Sequence, residues 1–320
     1  MRSFSGLAAL SALAVLASGC SAFSEDSGSA SGGSGDLTVA AAFYPLAWLT
    51  EQVAEGTGTE VELLTQPGTE PHDLELDVKK TAEIASADLV LYQAGFQPAV
   101  DDAVAQNAQG DTLDVAALAS LRPVDESAEE HEEHGEHGEG EGHDEHDHGS
   151  LDPHFWQDPL RVATVADAVA KELAGLDEDH ADDYEKNAAA LRTRLESLDA
   201  SYTAGLRDCA RDTIVVSHDA FGYLEKYGLH LASIVGLSPD AEPTAAALGK
   251  LQDLIKEEGI TTVFSEPLKP ALGKGIASDL GLTNGVLDPI EGLSDASSGE
   301  DYLSLMQANL KALQTANGCR

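Results

Sequence analysis

Apolar residues occur along this chain in two forms, short continuous blocks and stripes at three- and four-residue steps, and the two forms alternate. Leu37 to Phe43 is a continuous apolar block that predicts a strand, and Tyr44-Pro45 then opens a helical pattern through Trp48, Leu49 and Val53. Glu60 to Thr65 predicts a second strand, and a loop from Gln66 to Pro71 leads to His72. Helix signals follow from Val78 to Ile84, then a strand over Asp88 to Tyr92, with Thr112 to Val115 as a further candidate. Strands and helices in alternation predict a βαβ lobe with a parallel sheet.

Past the middle of the chain, Val162 to Leu173 predicts a helix that stops at Gly175. From Asp179 to Leu206 there is no proline and no glycine before Gly205. Tyr184, Ala188, Leu191, Leu195, Leu198, Tyr202 and Leu206 form one apolar stripe, the mark of a single long helix. At 1.5 Å per residue it would reach roughly 40 Å, enough to run beside two lobes. A second alternating set follows: strands at Thr213–Ser217, Leu231–Val235, Ile260–Phe264 and Gly285–Leu287, and helices at Phe221–Tyr227, Thr244–Glu257, Leu272–Asp279 and Asp301–Thr315. The expected class is α/β, with a lobe over 37–178, a connecting helix over 179–207 and a second lobe over 208–320. A length of 320 residues suffices for two cores.

One tract breaks the pattern. Residues 125–149 are nearly all Glu, Asp, His and Gly, with His131, His134, His137, His143, His146 and His148 among twelve acids. Such a tract has little to bury and reads as a mobile loop. Neutral imidazoles make it a candidate auxiliary, weak metal-binding segment. The rest of the chain is acidic too: 57 acidic against 18 basic residues give a formal charge of -39. That surface repels nucleic acid and anionic ligands and gathers cations.

The N-terminus is a targeting segment. Arg2 precedes an apolar run from Leu7 to Ala17 that is too short to cross a bilayer. Leu16-Ala17-Ser18-Gly19-Cys20 resembles the bacterial lipoprotein cleavage site, with Ala17 where that pattern prefers leucine. The resemblance implies a signal segment over 1–20, lipid on Cys20 and an extracytoplasmic body anchored to the outer face of the cell membrane, on the periplasmic side where a second membrane exists. Residues 21–36 are rich in Gly and Ser and read as a flexible tether. In that oxidising compartment Cys209 and Cys319 lack paired zinc-thiolate spacing, so a disulfide is expected. It would contribute roughly 4–5 kcal/mol in the chain-entropy model.

Three histidines sit just past strands or beside turn residues: His72 in Glu-Pro-His-Asp, His154 between two Asp-Pro pairs, and His218 at the carboxyl end of the strand starting at Thr213. Ligands gather at the carboxyl ends of parallel strands. Asp288, in Leu287-Asp288-Pro289, ends a strand in the same way. Three imidazoles and one carboxylate suit tetrahedral Zn²⁺, whereas Mn²⁺ favours more oxygen donors. His180 and His230 read as ordinary surface residues.

These motifs carry a family resemblance. Glu-Pro-His-Asp at 70–73, Asp-Pro-His-Phe-Trp-Gln-Asp-Pro at 152–159 and Ser-His-Asp-Ala-Phe-Gly-Tyr-Leu at 217–224 resemble the zinc-specific solute-binding lipoproteins of ABC uptake transporters. Phe264-Ser265-Glu266-Pro267 and Leu287 to Leu293 match the same family, and the motifs keep its order from about Leu37 to the C-terminus. The resemblance implies two α/β lobes with parallel sheets joined by one long rigid helix, and Zn²⁺ held in the cleft between them. It implies a monomer that delivers zinc to a membrane permease driven by a cytoplasmic ATPase, and no catalysis. It carries His72, His154 and His218 over as ligands, with Asp288 favoured as the fourth and Glu291 or water as alternatives. Manganese-type relatives have a carboxylate in place of His218. Two other functions remain open on the same residues: a zinc hydrolase with Glu266 or Asp219 as base, and an extracellular zinc buffer without a transporter.

Overall fold

In the computed structural model, which describes residues 37–124, 151–295 and 297–320, the first alternating set folds as one parallel sheet. Its strands β1 (Thr38–Ala41), β2 (Glu60–Leu63), β3 (Leu89–Tyr92) and β4 (Asp111–Asp114) lie in the order β2-β1-β3-β4. Val39 pairs in register with Val61 on one side and Leu89 on the other. Helices α1 (Tyr44–Val53), α2 (Val78–Ser86) and α3 (Pro98–Asn107) make the crossovers. Central parallel strands are buried on both faces, which is why Val39 to Ala41 and Leu89 to Leu91, all buried, appear as unbroken apolar blocks. The first block yields its end to α1, because Phe43 caps that helix and Pro45 sits in its first turn. Helix α3 has no expectation from the sequence. It buries only Val100, Ala103 and Val104, too short a stripe to stand out.

A short helix α4 (Ala116–Ala119) leads to β5 (Arg122–Pro123), which pairs antiparallel with β6 (Leu151–Asp152). The signal segment, the tether and the 125–149 tract lie outside the described residues. After β6 come α5 (Pro159–Leu176) and the long helix α6 (Ala181–Gly205). Its 25 residues span roughly 37 Å. It starts later than its polar pattern suggests because Glu178–His180 forms a separate 3-10 turn, pinned where Asp177 accepts from the Tyr184 hydroxyl at 3.1 Å. The predicted stripe from Tyr184 to Tyr202 is buried. Near its start, Asn187 donates to the Val53 and Glu55 carbonyls. Near its end, Tyr202 donates to Met306 O at 2.7 Å and Tyr227 donates to Asp199. The helix therefore runs beside both sheets.

The second sheet repeats the first. β7 (Thr213–Val216), β8 (His230–Ser233), β9 (Thr262–Ser265) and β10 (Thr283–Val286) lie in the order β10-β9-β7-β8, all parallel. Helices α7 (Ala245–Glu257), α8 (Ala271–Leu280) and α9 (Tyr302–Asn317) complete this half. The helix expected over Phe221–Tyr227 is a 3-10 turn, Gly222–Tyr227, ended by Gly228 in a left-handed conformation at φ 86°. Side chains of both sheets with α5, α6 and α9 share one continuous core, and a smaller cluster around Val215, Ile255 and Val263 lies under α7 and α8. Cys209 and Cys319 are bonded, tying the loop after α6 to the tail after α9. No described helix is long and apolar enough to cross a membrane.

Each sheet reverses its strand order at β1/β3 and at β7/β9. Loops leaving the strand ends on either side of such a reversal diverge and open a crevice at the carboxyl edge.

Candidate metal centre

His72 follows β2 on a turn whose Pro71 carbonyl accepts from Gln97 Nε2 at 3.1 Å. His154 follows β6, and the Pro153 carbonyl before it accepts from Gln93 Nε2 at 3.1 Å. Both glutamines come from the loop between β3 and α3, so one loop holds the prolines preceding two of the histidines. His218 follows β7 directly.

The two fully buried imidazoles are fixed in the same way. Asp152 Oδ1 accepts from His154 N at 3.0 Å and faces its Nδ1 at 2.8 Å. Glu266 Oε1 accepts from His218 N at 3.2 Å and faces its Nδ1 at 2.8 Å. A carboxylate on Nδ1 makes that nitrogen the donor and turns Nε2 toward a metal.

The three Nε2 atoms converge on Glu291. Its Oε1 lies 3.1 Å from His218 Nε2, 3.2 Å from His154 Nε2 and 3.5 Å from His72 Nε2, and the last two nitrogens are 3.4 Å apart. One donor atom from each of these four residues falls within 4.8 Å of every other. A tetrahedral shell with Zn–N bonds of 2.0–2.1 Å has donor–donor edges of about 3.3–3.4 Å. His154 and His218 are inaccessible and Glu291 nearly so, whereas the His72 side chain keeps 12% of its surface exposed. His72 is the solvent side of the group.

Asp288, the fourth ligand favoured from the sequence, is not in this group. Its carboxylate turns back to accept from Ile290 N at 2.8 Å, and the chain then brings Glu291 to the imidazoles. Burial raises the Asp288 pKa to about 6. His180 pairs with Asp177 at the surface, and His230 is exposed at the start of β8. Cys20 and the six tract histidines lie outside the described residues. Sequence reading left Asp152, Gln93 and Gln97 without a role; an aspartate two residues before a histidine was the available signal for the first.

The electrostatics follow from burial and shared charge. Burial pushes the His154 pKa down, but hydrogen bonds and charge from Asp152 and Glu291 outweigh it and raise it to about 9. His218 is likewise desolvated, yet Glu291 and Glu266 raise it to about 10. For Glu291, burial favours the neutral acid, but the surrounding imidazoles hold its pKa well below the usual carboxylate range. Burial lowers His72. The cluster is therefore one anion clasped by two cationic imidazoles, a charge pattern that a divalent cation can replace.

The family described as ZnuA, zinc-uptake complex component A periplasmic, matches residues 39–316. The chain belongs to this family. Zinc-binding lipoprotein AdcA of Streptococcus pneumoniae is 36% identical over 305 residues, covering 94% of this chain but 60% of that protein. This member of the family thus spans about three fifths of that relative's length. High-affinity zinc uptake system protein ZnuA of Bacillus subtilis is 34% identical over 318 residues, covering 98% of this chain and 97% of that one. The crystal structure of the Zn(II)-bound ZnuA-like domain of pneumococcal AdcA superposes with a TM-score of 0.70 at 32% identity, over 88% of this chain and 99% of the other. The two-sheet α/β fold expected from the motifs is the fold of these neighbours.

Proposed function

We propose that this chain is an extracytoplasmic zinc receptor. His72, His154, His218 and Glu291 take up one Zn²⁺ in the cleft between the lobes of 37–178 and 208–320, with 179–207 as the connector. The protein is a monomer anchored through lipid on Cys20, and it hands the ion to an ABC permease powered by a cytoplasmic ATPase. The observation that carries this reading is the Glu291 oxygen standing 3.1–3.5 Å from all three imidazole Nε2 atoms, close to the edges of a zinc tetrahedron. Names of the relatives, zinc-binding lipoprotein and zinc uptake system protein, support it.

Transport is favoured over hydrolysis by the donor count. A catalytic zinc keeps one position open for water, whereas here a carboxylate stands at the fourth. Glu266, one of the two candidate bases for a hydrolase beside Asp219, is spent on His218. Metal-free protein titrated with Zn²⁺ and Mn²⁺ in competition against a chelator tests the reading. One tight Zn²⁺ per chain, with Mn²⁺ far weaker, is expected; tighter Mn²⁺ or no tight zinc overturns it. Permease-dependent zinc accumulation in cells separates a receptor from a stand-alone buffer.

Selectivity rests on three nitrogens against one oxygen, which places Zn²⁺ above Mn²⁺ by donor softness and by the Irving–Williams order. His218→Glu exchanges a nitrogen donor for an oxygen and narrows the Zn²⁺/Mn²⁺ affinity ratio; an unchanged ratio counts against His218 as a ligand. The 125–149 tract binds further zinc loosely, because its histidines offer many near-equivalent chelation modes and each must fix the chain in one of them. Deleting it removes a weak class of sites in calorimetric titration and leaves the tight site intact. Loss of the tight site on deletion would reverse this division of roles.

A further inference from the structure

The fourth donor reaches the imidazoles by a strained route. Ile290, the residue before Glu291, has φ of 59°, a left-handed conformation that β-branched residues adopt only where their surroundings impose it. Its side chain is fully buried. Two sets of contacts impose the turn. Asn309, from α9, pairs with both sides of the Asp288 backbone, accepting from its N–H at 2.9 Å and donating to its carbonyl at 2.7 Å, while the Asp288 carboxylate accepts from Ile290 N. The Pro289 carbonyl accepts two side-chain donors from the turn that carries His154: Trp156 Nε1 at 2.8 Å and Gln157 Nε2 at 2.6 Å.

One carbonyl therefore joins the turn bearing His154 to the turn bearing Glu291. Gln157 is the telling member. Its amide is fully buried, its nitrogen serves Pro289, and its Oε1 has no hydrogen-bond partner among the described residues. An unpaired buried acceptor weakens a fold, and an apolar side chain of the same size would avoid that cost. Apart from its bond to the Pro289 carbonyl, which Trp156 also serves, glutamine gives the core nothing that leucine would not supply.

We propose that Gln157 and Asn309 are positioning residues for the Glu291 carboxylate. Together they hold the left-handed turn shut, so that Glu291 Oε1 and His154 Nε2 are presented to the ion as one unit. Loosening either frees Glu291 and speeds release of the ion while leaving the three histidines in place. This inference rests on Glu291 being the fourth zinc ligand.

The test uses the full chain with Gln157→Leu, Asn309→Leu, Glu291→Gln and the combined Gln157→Leu/Glu291→Gln. Three quantities are read: melting temperature without metal, zinc dissociation rate into excess chelator, and the visible spectrum of the Co²⁺-loaded protein. Gln157→Leu is expected to melt at or above the wild-type temperature yet release zinc about tenfold faster or more, the scale of losing an outer partner of a ligand. Asn309→Leu is expected to speed release similarly. Both Co²⁺ spectra shift toward that of Glu291→Gln, and the combined variant releases zinc no faster than Glu291→Gln alone. Wild-type release from Gln157→Leu and Asn309→Leu, beside fast release from Glu291→Gln, overturns the inference and spares the ligand assignment. A Gln157→Leu variant that melts far below wild type overturns it too, because Gln157 would then serve the core. Wild-type rate and spectrum in Glu291→Gln overturn the ligand assignment and the inference with it.

Discussion

Zinc binding at pH 7 releases close to two protons, and apparent affinity falls about 100-fold for each pH unit between pH 8.5 and 6.5. The sign follows from the metal-free cluster. His154 and His218 have pKa values raised to about 9 and about 10 by the carboxylates around them, so both are cationic across that window. His72 is lowered by burial, and Glu291 is held ionised. At the proposed site the ion needs all three imidazoles neutral, so it must displace the two protons. Two positive charges leave and two arrive, and the buried charge of the site does not change. Unperturbed histidines would confine the effect to below about pH 6.5, and the sequence alone suggests that lower range. Calorimetric titrations in buffers of different ionisation heat count the protons; a release near zero at pH 7.5 would refute the raised values. The same shifts stabilise the metal-free fold fully below about pH 6.5, the unfolded histidine value. That contribution is lost as pH rises through about 9 and about 10.

Replacing His154 by alanine removes tight zinc binding. The loss exceeds the roughly 10–100-fold that follows from removing a hydrogen-bonding partner of a ligand, because a donor itself disappears from an inaccessible position. Asp152 and Glu291, which both contact the His154 ring, are left without the imidazole that links them. His218→Ala acts alike, since its ring is equally buried between Glu266 and Glu291. His72→Ala costs less, because its partly exposed side of the site lets water take the vacant position. Asp152→Asn and Glu266→Gln leave every donor in place and fall in the 10–100-fold range. Chelator competition ranks the five variants. Equal losses for His72→Ala and His154→Ala would argue against the solvent-side placement of His72, and near-wild-type affinity in His154→Ala would remove it from the site.

By itself the sequence determined what depends on local pattern. Unbroken apolar blocks gave the central strands because those strands are buried on both faces, and a glycine-poor stripe gave α6 because a helix needs only its own residues to display one face. His72, His154 and His218, which the fold brings together, were legible as candidates because each stands beside a proline turn or a strand end, and such signals are local. The pairing of Cys209 with Cys319 followed from compartment and the lack of another partner. The choice between Asp288 and Glu291 was not legible. Both sit after β10, three residues apart, and only the folded turn, with Ile290 at φ 59°, sets Glu291 rather than Asp288 beside the imidazoles. That turn is bonded by Asn309 on α9 and by Trp156 and Gln157 from the turn that carries His154. The raised His218 pKa was out of reach for the same reason, since it comes from Glu291 and Glu266, brought in from 73 and 48 residues away. A short polar helix such as α3 left no stripe, yet the loop before it supplies Gln93 and Gln97. Periodicity records which face of an element is buried; only the closed tertiary structure decides which charges and carbonyls meet there.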